Sequence, residues 1–435
     1  MTTPREAAQY LAREAGISLN GVSEGVALHP DSDISEDAAP VIPPFPEAAW
    51  TGLFREYRDI VGPTTEAPDV FHYFGFATAF GATLGRRRYV YHAVKLFPNF
   101  YVVLVGRSGL SRKDTARSRA RRLMAELNED QNEDSKFIML PGISSAEGLL
   151  EKMSGDGKVV VVQAGELLGL VAKAKKESSG NLVAHLTELY DCQEKYTLPT
   201  RNNPVTATRI FISLLAGTTP QWLRSSLGES DAYGGFANRF IYAFGEPKEP
   251  MPFPPRVDPG RWERLKGQIN EARLWAGANE TELDVDSRAI DLFSDWYSQY
   301  HPRASADGLL PVLAVRFQSF AWKLGLLYAA QEQAPILADW HLAPALAVVD
   351  WLWQSNQAAF ADFTQHGREL EDAILQRLRD SETGFIAKRE LYRPLRISAS
   401  ELEKAIEPLT RLGVVQAVQN LSPNGRKLEG YEILH

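Results

Sequence analysis

The residues with the clearest chemical pattern follow the apolar run FYVVLVG, which ends at Gly106. The next residues, RSGLSRKDT, combine glycine, hydroxyl side chains and three cations ahead of a helical pattern. A strand that delivers such a loop onto a helix N-terminus directs several backbone N–H groups and the positive end of the helix dipole at one point, which suits a phosphate group. The sequence therefore predicts a phosphate-binding loop, with candidate contacts Gly106, Ser108, Gly109, Ser111, Arg112, Lys113 and Thr115.

The spacing of this loop departs from the usual G-x-x-x-x-G-K-[ST] pattern. Counted from Gly106, Ser111 replaces the second glycine and the lysine position falls on Arg112. We assign Lys113 to the β- and γ-phosphates, in a loop that is longer by one residue, with Thr115 as the hydroxyl that binds Mg²⁺. The alternative is an ordinary strand-to-helix loop without a ligand.

The charges around the loop bear on this choice. Asp114 favours the alternative, because a carboxylate beside phosphates is repulsive unless Mg²⁺ or an arginine compensates it. The helix that follows carries four arginines that cover more than one face: Arg117, Arg119, Arg121 and Arg122. Such a pattern is typical of a solvated surface and, as a second choice, of a contact for nucleic acid or a neighbouring subunit.

A carboxylate follows a second apolar run, KVVVV. Glu166 lies three residues beyond Gln163, which follows that run directly. A carboxylate just past a buried strand, beside the strand of the phosphate loop, suits the Mg²⁺ shell or an attacking water. Glu166 is therefore the candidate metal ligand and catalytic residue. Gln163 occupies the place of the more usual first acid, which favours a weak metal site or one supplied by Thr115. The alternative is a charge at a helix N-terminus.

Two later residues complete the candidate catalytic set. The run RIFISLLAG leads to Thr218, whose hydroxyl at a strand tip can sense a γ-phosphate or position water; a helix cap is the alternative. Arg239 lies between Gly234-Gly235 and another apolar strand. An arginine at such an edge can reach the phosphate bound by a neighbouring subunit. Pairing of Arg239 with an acid such as Asp191 or Glu188 is the alternative.

These residues require several strands that end at one edge of a sheet. Four apolar, β-branched runs alternate with helical patterns, at residues 100–106, 158–165, 208–217 and 236–245. Continuous runs of this kind indicate parallel strands that are covered on both faces. The sequence thus predicts an α/β fold with a mostly parallel sheet. Residues 69–84, apolar on nearly every face, predict a buried helix that ends at Gly85.

The whole chain divides into four predicted parts. Residues 1–47, acidic and rich in proline, are an arm or linker, and residues 48–246 form the P-loop core with its N-terminal helices. Wide apolar helical stripes predict a helical bundle over residues 247–365. Residues 366–435 give a helix, a short segment, two helices and two strands around an Asn424-Gly425 turn, which is the order of a winged helix.

The charges of the predicted winged helix leave its partner open. A winged helix normally binds DNA, and four cations cluster near the expected recognition segment: Lys388, Arg389, Arg393 and Arg396. Three acids line the next helix: Glu401, Glu403 and Glu407. Protein docking is therefore the alternative to DNA contact.

Composition restricts partners and location. A formal net charge of −8 provides no overall attraction to a polyanion, so nucleic acid would have to bind to local basic patches. The single cysteine, Cys192, excludes an intramolecular disulfide framework and a thiolate-rich zinc site. No stretch approaches the roughly 18 consecutive apolar residues of a membrane span. We expect a cytoplasmic protein without a membrane partner.

The order of the segments PNFYVVLVGRSGLSRKDTA, VVVVQAGELLGLV, LTELYD, ISLLAGTTPQWL and GGFANRFIYAF resembles a large family of RecA-like P-loop ATPases. That family occurs in phages, plasmids and integrated elements, often as the helicase-like part of primase-helicase proteins, and the resemblance covers about residues 45–328. It implies ATP and Mg²⁺ as ligands, with Lys113 and Thr115 at the nucleotide. It further implies Glu166 at the metal and water, Thr218 as sensor and Arg239 as an arginine that acts in trans.

The resemblance also implies a function. We expect an oligomeric ring, with a hexamer as the leading expectation, that hydrolyses ATP and acts on DNA during replication of a mobile element. A primase or another replication protein is then an expected partner. Departures at Asp114, Ser111 and Gln163 make hydrolysis less secure than nucleotide binding. A second hypothesis is a nucleotide-binding scaffold or regulator in a defence or transposition system, and a third is a DNA-binding regulator with a decayed ATPase fold.

Overall fold

A computed structural model describes residues 42–129, 131, 136–166, 182–198, 204–226, 235–306, 309–381, 383–411, 413–421 and 427–434. Three sequence predictions lie wholly or largely outside these ranges. They are the N-terminal arm, of which only residues 42–47 are described, Gly234 of the glycine pair, and the Asn424-Gly425 turn.

The strands of the described residues are numbered in chain order. They are β1 (Arg88–His92), β2 (Val94–Leu96), β3 (Tyr101–Val105), β4 (Ile138–Leu140), β5 (Gly155–Asp156), β6 (Val159–Val162), β7 (Lys195–Leu198), β8 (Val205–Thr208), β9 (Phe211–Thr218), β10 (Phe240–Phe244), β11 (Thr281–Glu282), β12 (Asp284–Val285), β13 (Ile336–Leu337), β14 (Phe385–Ala387), β15 (Val415–Leu421) and β16 (Lys427–Ile433).

The α-helices are numbered in the same way. They are α1 (Gly52–Val61), α2 (Asp69–Leu84), α3 (Lys113–Glu129), α4 (Ala146–Met153), α5 (Leu182–Leu189), α6 (Pro220–Ser226), α7 (Pro259–Ala276), α8 (Ser287–Ala304), α9 (Leu309–Ala314), α10 (Phe317–Gln331), α11 (Asp339–Asp380), α12 (Lys388–Tyr392) and α13 (Ala399–Arg411). None of the helices in the described residues has a stretch long and apolar enough to cross a lipid bilayer.

The central sheet has five strands in the order β10-β3-β9-β6-β4, and all of its pairs are parallel. Its inner strands are apolar and buried along most of their length, as expected for strands covered on both faces. The prediction of an α/β fold with a parallel sheet is confirmed, and all four predicted runs enter this sheet. The fifth strand, β4, has only three half-buried residues at the sheet edge, too short for a distinct pattern.

Helix α2 is the buried support of the sheet. All of its residues from Val70 to Leu84 are buried, and the helix ends at Gly85, whose φ of +56° leaves the helical region, so this prediction is confirmed. A Cβ on Gly81 would lie 2.1 Å from the carbonyl oxygen of Pro98, just before β3. A Cβ on Gly75 would lie 3.3 Å from Ala120 Cβ in α3. Small residues therefore let α2 pack closely against both the sheet and α3.

The helices after the sheet share its hydrophobic core. Buried side chains of α7, α10 and α11, such as Leu265, Leu324 and Leu346, belong to the same continuous cluster as β3 and α2. Helix α11 runs unbroken through residue 365, where the sequence places a domain boundary. A separate cluster holds the C-terminal part together, with Leu378, Leu391 and Leu402 against an antiparallel sheet of order β14-β16-β15.

Candidate phosphate-binding site

The loop between β3 and α3 is shaped by its glycines and Ser111. A Cβ on Gly106 would lie 2.5 Å from Ser111 Oγ and 3.0 Å from the carbonyl oxygen of Gly245, so only glycine fits there. Ser111 is fully buried, and its Oγ donates to the carbonyl oxygen of Arg107 at 2.8 Å. Gly109, at φ +71°, lies with Ser108 at the exposed tip. Ser111 thus fastens the base of the loop, while Ser108 and Gly109 line its open end.

Lys113 begins α3 and folds back over the loop. Its Nζ donates to the carbonyl oxygens of Gly106 at 2.7 Å and Arg107 at 3.3 Å, and lies 3.5 Å from Ser111 Oγ. These partners are all uncharged acceptors. Burial lowers the pKa of Lys113, and the nearby carboxylates of Glu166 and Asp114 oppose that shift. Phosphate oxygens can replace the loop carbonyls as acceptors without breaking an ion pair.

Arg112 points away from the loop that Lys113 contacts. It adopts a left-handed backbone, at φ +50°, and its Nε donates to Glu66 Oε2 at 2.7 Å. Glu66 also accepts from the backbone N–H of Met251 at 2.8 Å, and these two bonds lower its pKa. The structure therefore separates the two adjacent cations: Lys113 lies over the loop, and Arg112 pairs with a carboxylate outside it. Thr115, half-buried, lies in the first turn of α3.

Glu166 follows β6, but β6 is not beside β3. Strand β9 lies between them, so the expected direct adjacency is wrong, and the end of β6 reaches the loop across the tip of β9. Burial raises the pKa of Glu166, Asp114 raises it further, and the charges of Lys113 and Arg117 oppose these effects. Glu166 therefore interacts electrostatically with the three charged residues at the start of α3, Lys113, Asp114 and Arg117.

Arg117 connects the start of α3 to the end of β6, a role that the sequence did not reveal. Its guanidinium donates to the carbonyl oxygens of Ala164 and, at 2.8 Å, Gly165, and pairs with Asp114 Oδ1 at 2.9 Å. Arg117 therefore supplies the arginine that offsets Asp114, and it fixes the segment that carries Glu166. The i, i+3 spacing of the acid and the arginine is the signal that was available in the sequence.

The prediction of a solvated arginine face is wrong for two of the four arginines. Arg117 is mostly buried, and Arg119 is half-buried with a bond of 3.3 Å from its Nη2 to Thr64 Oγ1. Arg121 and Arg122 are exposed, as predicted. Apolar contacts of α3 with α2 and α7 explain the difference, because they enclose one side of α3.

Thr218 lies at the tip of β9 beside Lys113. The residue is fully buried, and its Oγ1 has no hydrogen-bond partner among the described residues. The preceding Gly217 makes room for the site, since a Cβ there would lie 3.4 Å from the carbonyl oxygen of Gly165 and 3.7 Å from Lys113 Cβ. The alternative role of helix cap belongs to Thr219, whose Oγ1 accepts from the backbone N–H of Trp222 at 3.2 Å.

Gln163 stands where an acid is more usual. Its backbone N–H donates to the carbonyl oxygen of Leu140 at 2.7 Å and continues the pairing of β6 with β4. The residue is almost fully buried, and its Nε2 has no partner in the described part of the chain. A buried amide with an unpaired donor offers a hydrogen bond but no negative charge.

Arg239 lies at the amino ends of the strands of the central sheet, whereas the loop lies at their carboxyl ends. Strands β3 and β10 pair from Tyr101 with Phe240 to Val105 with Phe244, so Arg239 precedes the amino end of the pair whereas Gly106 follows its carboxyl end. At about 3.3 Å per residue, the two backbones are about 20 Å apart. Arg239 therefore does not reach the loop of its own chain.

In this structure Arg239 forms the ion pair that the sequence left as its alternative. Its Nη2 bonds to Asp191 Oδ2 at 2.9 Å, and its Nη1 donates to the carbonyl oxygen of Gly235 at 2.5 Å. Arg316 shares the carboxylate, with its Nη1 3.0 Å from Asp191 Oδ1. An Arg239 side chain that acts on a neighbouring subunit must first leave Asp191.

Comparison with known proteins adds no relative to this picture: no family model matches the chain, and no curated protein matches it.

Proposed function

We propose that the chain binds ATP at the loop of residues 106–112 and hydrolyses it. The observation that carries the proposal is Lys113, whose Nζ lies over the loop 2.7 Å from the carbonyl oxygen of Gly106 and contacts uncharged acceptors. This ammonium group belongs to the first residue of α3 and lies beside the N-terminus of that helix, a point that suits the β- and γ-phosphates. Gly106, Ser108, Gly109, Ser111 and Arg112 shape or flank that point.

The surroundings of the loop also suit Mg²⁺ and an attacking water. Thr115 in the first turn of α3 and Glu166 after β6 would hold the ion, which when bound neutralises negative charge on the phosphates. Glu166 would orient the water, and its raised pKa brings the carboxyl closer to the pH at which it works as a base. The buried, unpartnered Oγ1 of Thr218 is available to the water or the γ-phosphate.

We further propose that ATP hydrolysis drives an oligomeric ring, hexameric in its simplest form, that acts on DNA in the cytoplasm. The support is the resemblance to RecA-like ATPases of mobile elements, together with the five-stranded parallel sheet. Arg239, remote from its own loop, would complete the site of a neighbouring subunit. A primase or another replication protein is the expected partner of such a motor.

The C-terminal part supports a contact with nucleic acid or protein. Its element order and its β14-β16-β15 sheet support the proposal of a winged helix. Helix α13, which follows the predicted recognition segment, exposes Glu403 and Glu407, which repel phosphates. Arg389 and Arg393 are exposed on the segment before it. We therefore assign DNA contact to that segment, and docking of a protein partner to α13.

One observation favours a second candidate, a nucleotide-binding regulator without productive turnover. Gln163 provides an amide where a second acid would strengthen the Mg²⁺ site, so Glu166 is the single acid at the end of β6. Rates of ATP hydrolysis with and without single-stranded and double-stranded DNA separate the candidates. The motor predicts turnover that DNA stimulates, and the regulator predicts bound ATP that persists over many minutes.

The binding site itself is tested by a matched pair of substitutions. Lys113→Ala removes a charge-assisted contact worth about 1.5–3 kcal/mol, which weakens ATP binding about tenfold to hundredfold. Arg112→Ala should have a smaller effect, because Arg112 pairs with Glu66 outside the loop. Isothermal titration calorimetry with ATP measures both. An equal loss at the two positions, or a larger loss at Arg112, contradicts the assignment of Lys113.

A further inference from the structure

A second polar cavity lies at the amino end of the central sheet, away from the phosphate loop. Its volume is about 490 Å³, and it adjoins Val159, the first residue of β6, whereas the candidate site follows the last residue of that strand. Among the described residues, its walls carry five cations, Arg86, Arg87, Lys136, Arg209 and Arg273, and two carboxylates, Asp156 and Glu280. The cavity is therefore positively charged, and its volume suits a small ligand.

Two of these cations belong to the framework. Arg86 is almost fully buried and pairs with Glu194 and Glu280, at 2.6 Å in each case. Arg209 forms a two-bond pair with Asp156, in which its Nε lies 2.8 Å from Oδ1. Both guanidinium groups have carboxylate partners, so they form the walls of the cavity without needing a ligand.

Arg87 and Arg273 differ from this pair. Among the described residues neither of them has a carboxylate partner, and Arg87 donates only to the carbonyl oxygens of Thr83 and Leu84, each at 3.2 Å. The Nε of Arg273 is buried without a partner in the described residues. Burial lowers the pKa of both side chains, and the charge of Arg273 lowers the pKa of Arg87 further. Two like charges thus line one cavity whose carboxylates, Asp156 and Glu280, pair with Arg209 and Arg86 instead.

The fold tolerates this arrangement because both arginines lie at helix C-termini. Arg87 bonds to the last carbonyls of α2, and Arg273 is in the last turn of α7. The negative end of a helix dipole stabilises a cation in that position. The charges can therefore be held together before a ligand arrives, which is the condition for a preformed anion site.

We infer that this cavity binds the phosphate groups of an anionic ligand, with Arg87 and Arg273 as its contacts. Guanidinium groups match phosphate oxygens with two parallel hydrogen bonds, and a phosphate supplies the anionic partner that Arg87 and Arg273 do not have among the described residues. The ligand is either a free polyphosphate compound or the backbone of a nucleic acid, because both offer the same chemistry. The site does not depend on ATP binding at Lys113, since the sheet separates the two.

The test uses the full chain with Lys113→Ala, which weakens the phosphate loop, and calorimetric titration with inorganic tripolyphosphate. Arg273→Ala in this background should weaken binding about tenfold to hundredfold, the effect of losing one charge-assisted contact. Arg264→Ala is the matched control, because Arg264 is exposed on the same helix and does not line the cavity. Arg273→Gln, which keeps the side-chain carbons as far as Cδ and removes the charge, replaces Arg273→Ala if circular dichroism shows that the alanine variant is unfolded.

Competition identifies the source of the phosphate. If a single-stranded oligonucleotide displaces tripolyphosphate in the chain with Arg273 intact, and does so less well in the variant, the ligand is a nucleic acid backbone. If the oligonucleotide does not compete, the ligand is a free polyphosphate compound. The inference is overturned if tripolyphosphate and the oligonucleotide both fail to bind saturably, or if the Arg273 and Arg264 variants bind equally well.

Discussion

Two lysines at the opposite ends of strand β3 contact backbone carbonyls in a similar way, yet their surroundings differ. Lys113 follows the carboxyl end and donates to the carbonyl oxygen of Gly106 at 2.7 Å. Lys323, from α10, lies at the amino end and donates to the carbonyl oxygen of Asn99 at 3.0 Å and to Asn99 Oδ1 at 2.7 Å. Lys113 is half-buried at a loop with an open tip, and Lys323 is fully enclosed.

The difference separates the proposed ligand site at Lys113 from the enclosed, structural lysine at position 323. At Lys113, burial is the largest effect and lowers the pKa, but the carboxylates of Glu166 and Asp114 oppose that shift, and a phosphate can approach from the exposed loop. Around Lys323, desolvation is the largest effect and lowers its pKa to about 7. Its Nζ also lies 4.1 Å from the centroid of the Tyr190 ring, which leaves no path for a ligand on that side. Similar contacts therefore have different uses because solvent reaches only one of them.

The largest expected effect is that of Arg239, which lies at the amino ends of β3 and β10, the same end of the sheet as Lys323. A catalytic role for Arg239 would contradict the idea that this end of the sheet is purely structural. If Arg239 acts on a neighbouring subunit, Arg239→Ala should reduce ATP hydrolysis about 10³- to 10⁵-fold while ATP binding persists, because the guanidinium meets charge that develops in the transition state. Steady-state hydrolysis and calorimetry measure the two effects. Arg316→Ala is the matched control, because Arg316 pairs with the same carboxylate, Asp191.

Mixed oligomers sharpen the test of Arg239. Protomers with Arg239→Ala and protomers with Glu166→Gln are each inactive for a different reason, and some mixed interfaces combine an intact Glu166 with an intact Arg239. Activity should return in the mixture. Mixed oligomers that form but remain inactive, or equal losses in the Arg239 and Arg316 variants, would identify Arg239 as a structural partner of Asp191.

The next largest effect concerns Glu166, which follows the carboxyl end of β6. Glu166→Gln keeps the size of the side chain and removes its charge, so ATP should bind with unchanged affinity while hydrolysis falls about 10²- to 10⁴-fold. Single-turnover hydrolysis measures the loss. Glu151→Gln, an exposed carboxylate of α4, is the control and should hydrolyse ATP at the parental rate. A parental rate in the Glu166 variant itself would place the catalytic base elsewhere.

The pH profile gives Glu166 a second test. Activity is lost as the pH falls through the pKa of Glu166, because the protonated acid no longer accepts a proton. The negative charge of Asp114 raises that pKa, so Asp114→Asn should move the acid limb of the profile to lower pH. A limb that stays in place would show that another group controls it.

The sequence predicted strands better than it predicted contacts. Runs such as VVVV indicate β6 because continuous apolar, β-branched residues suit a strand covered on both faces. The three residues of β4 are too few for such a pattern. Periodicity also does not give the order of strands, so β9 between β3 and β6 could be learned only from the structure.

The candidate site shows the same limit. Residue types close to Gly106 along the chain identified the loop, but Arg117 was interpreted as surface because helical spacing does not reveal which neighbour covers a face. The Asp191 partner of Arg239 was one of two acids that the sequence left open, and a contact across 48 residues requires the folded chain. The local order of strand, loop and helix was therefore predictable, and long-range pairing was not.

The smallest expected effect concerns Lys323, the enclosed lysine at the amino end of β3. The pKa of Lys323 is about 7 in the folded chain, against an ordinary value of 10.5. Between these values the unfolded chain binds one more proton, so this group makes the free energy of unfolding rise with pH by about 1 kcal/mol per pH unit. Below pH 7 both states are protonated, and the contribution to the slope disappears.

Lys323→Met removes the titrating group and keeps most of the apolar stem, so its unfolding free energy should lack this rise. Urea unfolding at pH 7.5, 8.5 and about 9.5 of the parent and the variant measures the difference between their slopes. Lys152→Met, at an exposed position of α4, is the control and should keep the parental slope. Parallel curves for the parent and the Lys323 variant would mean that Lys323 keeps its proton when enclosed. Exposure to solvent would then no longer distinguish Lys113 from Lys323. The ring of Tyr190 and the two Asn99 oxygens would stabilise the charged form of Lys323 as well as water does.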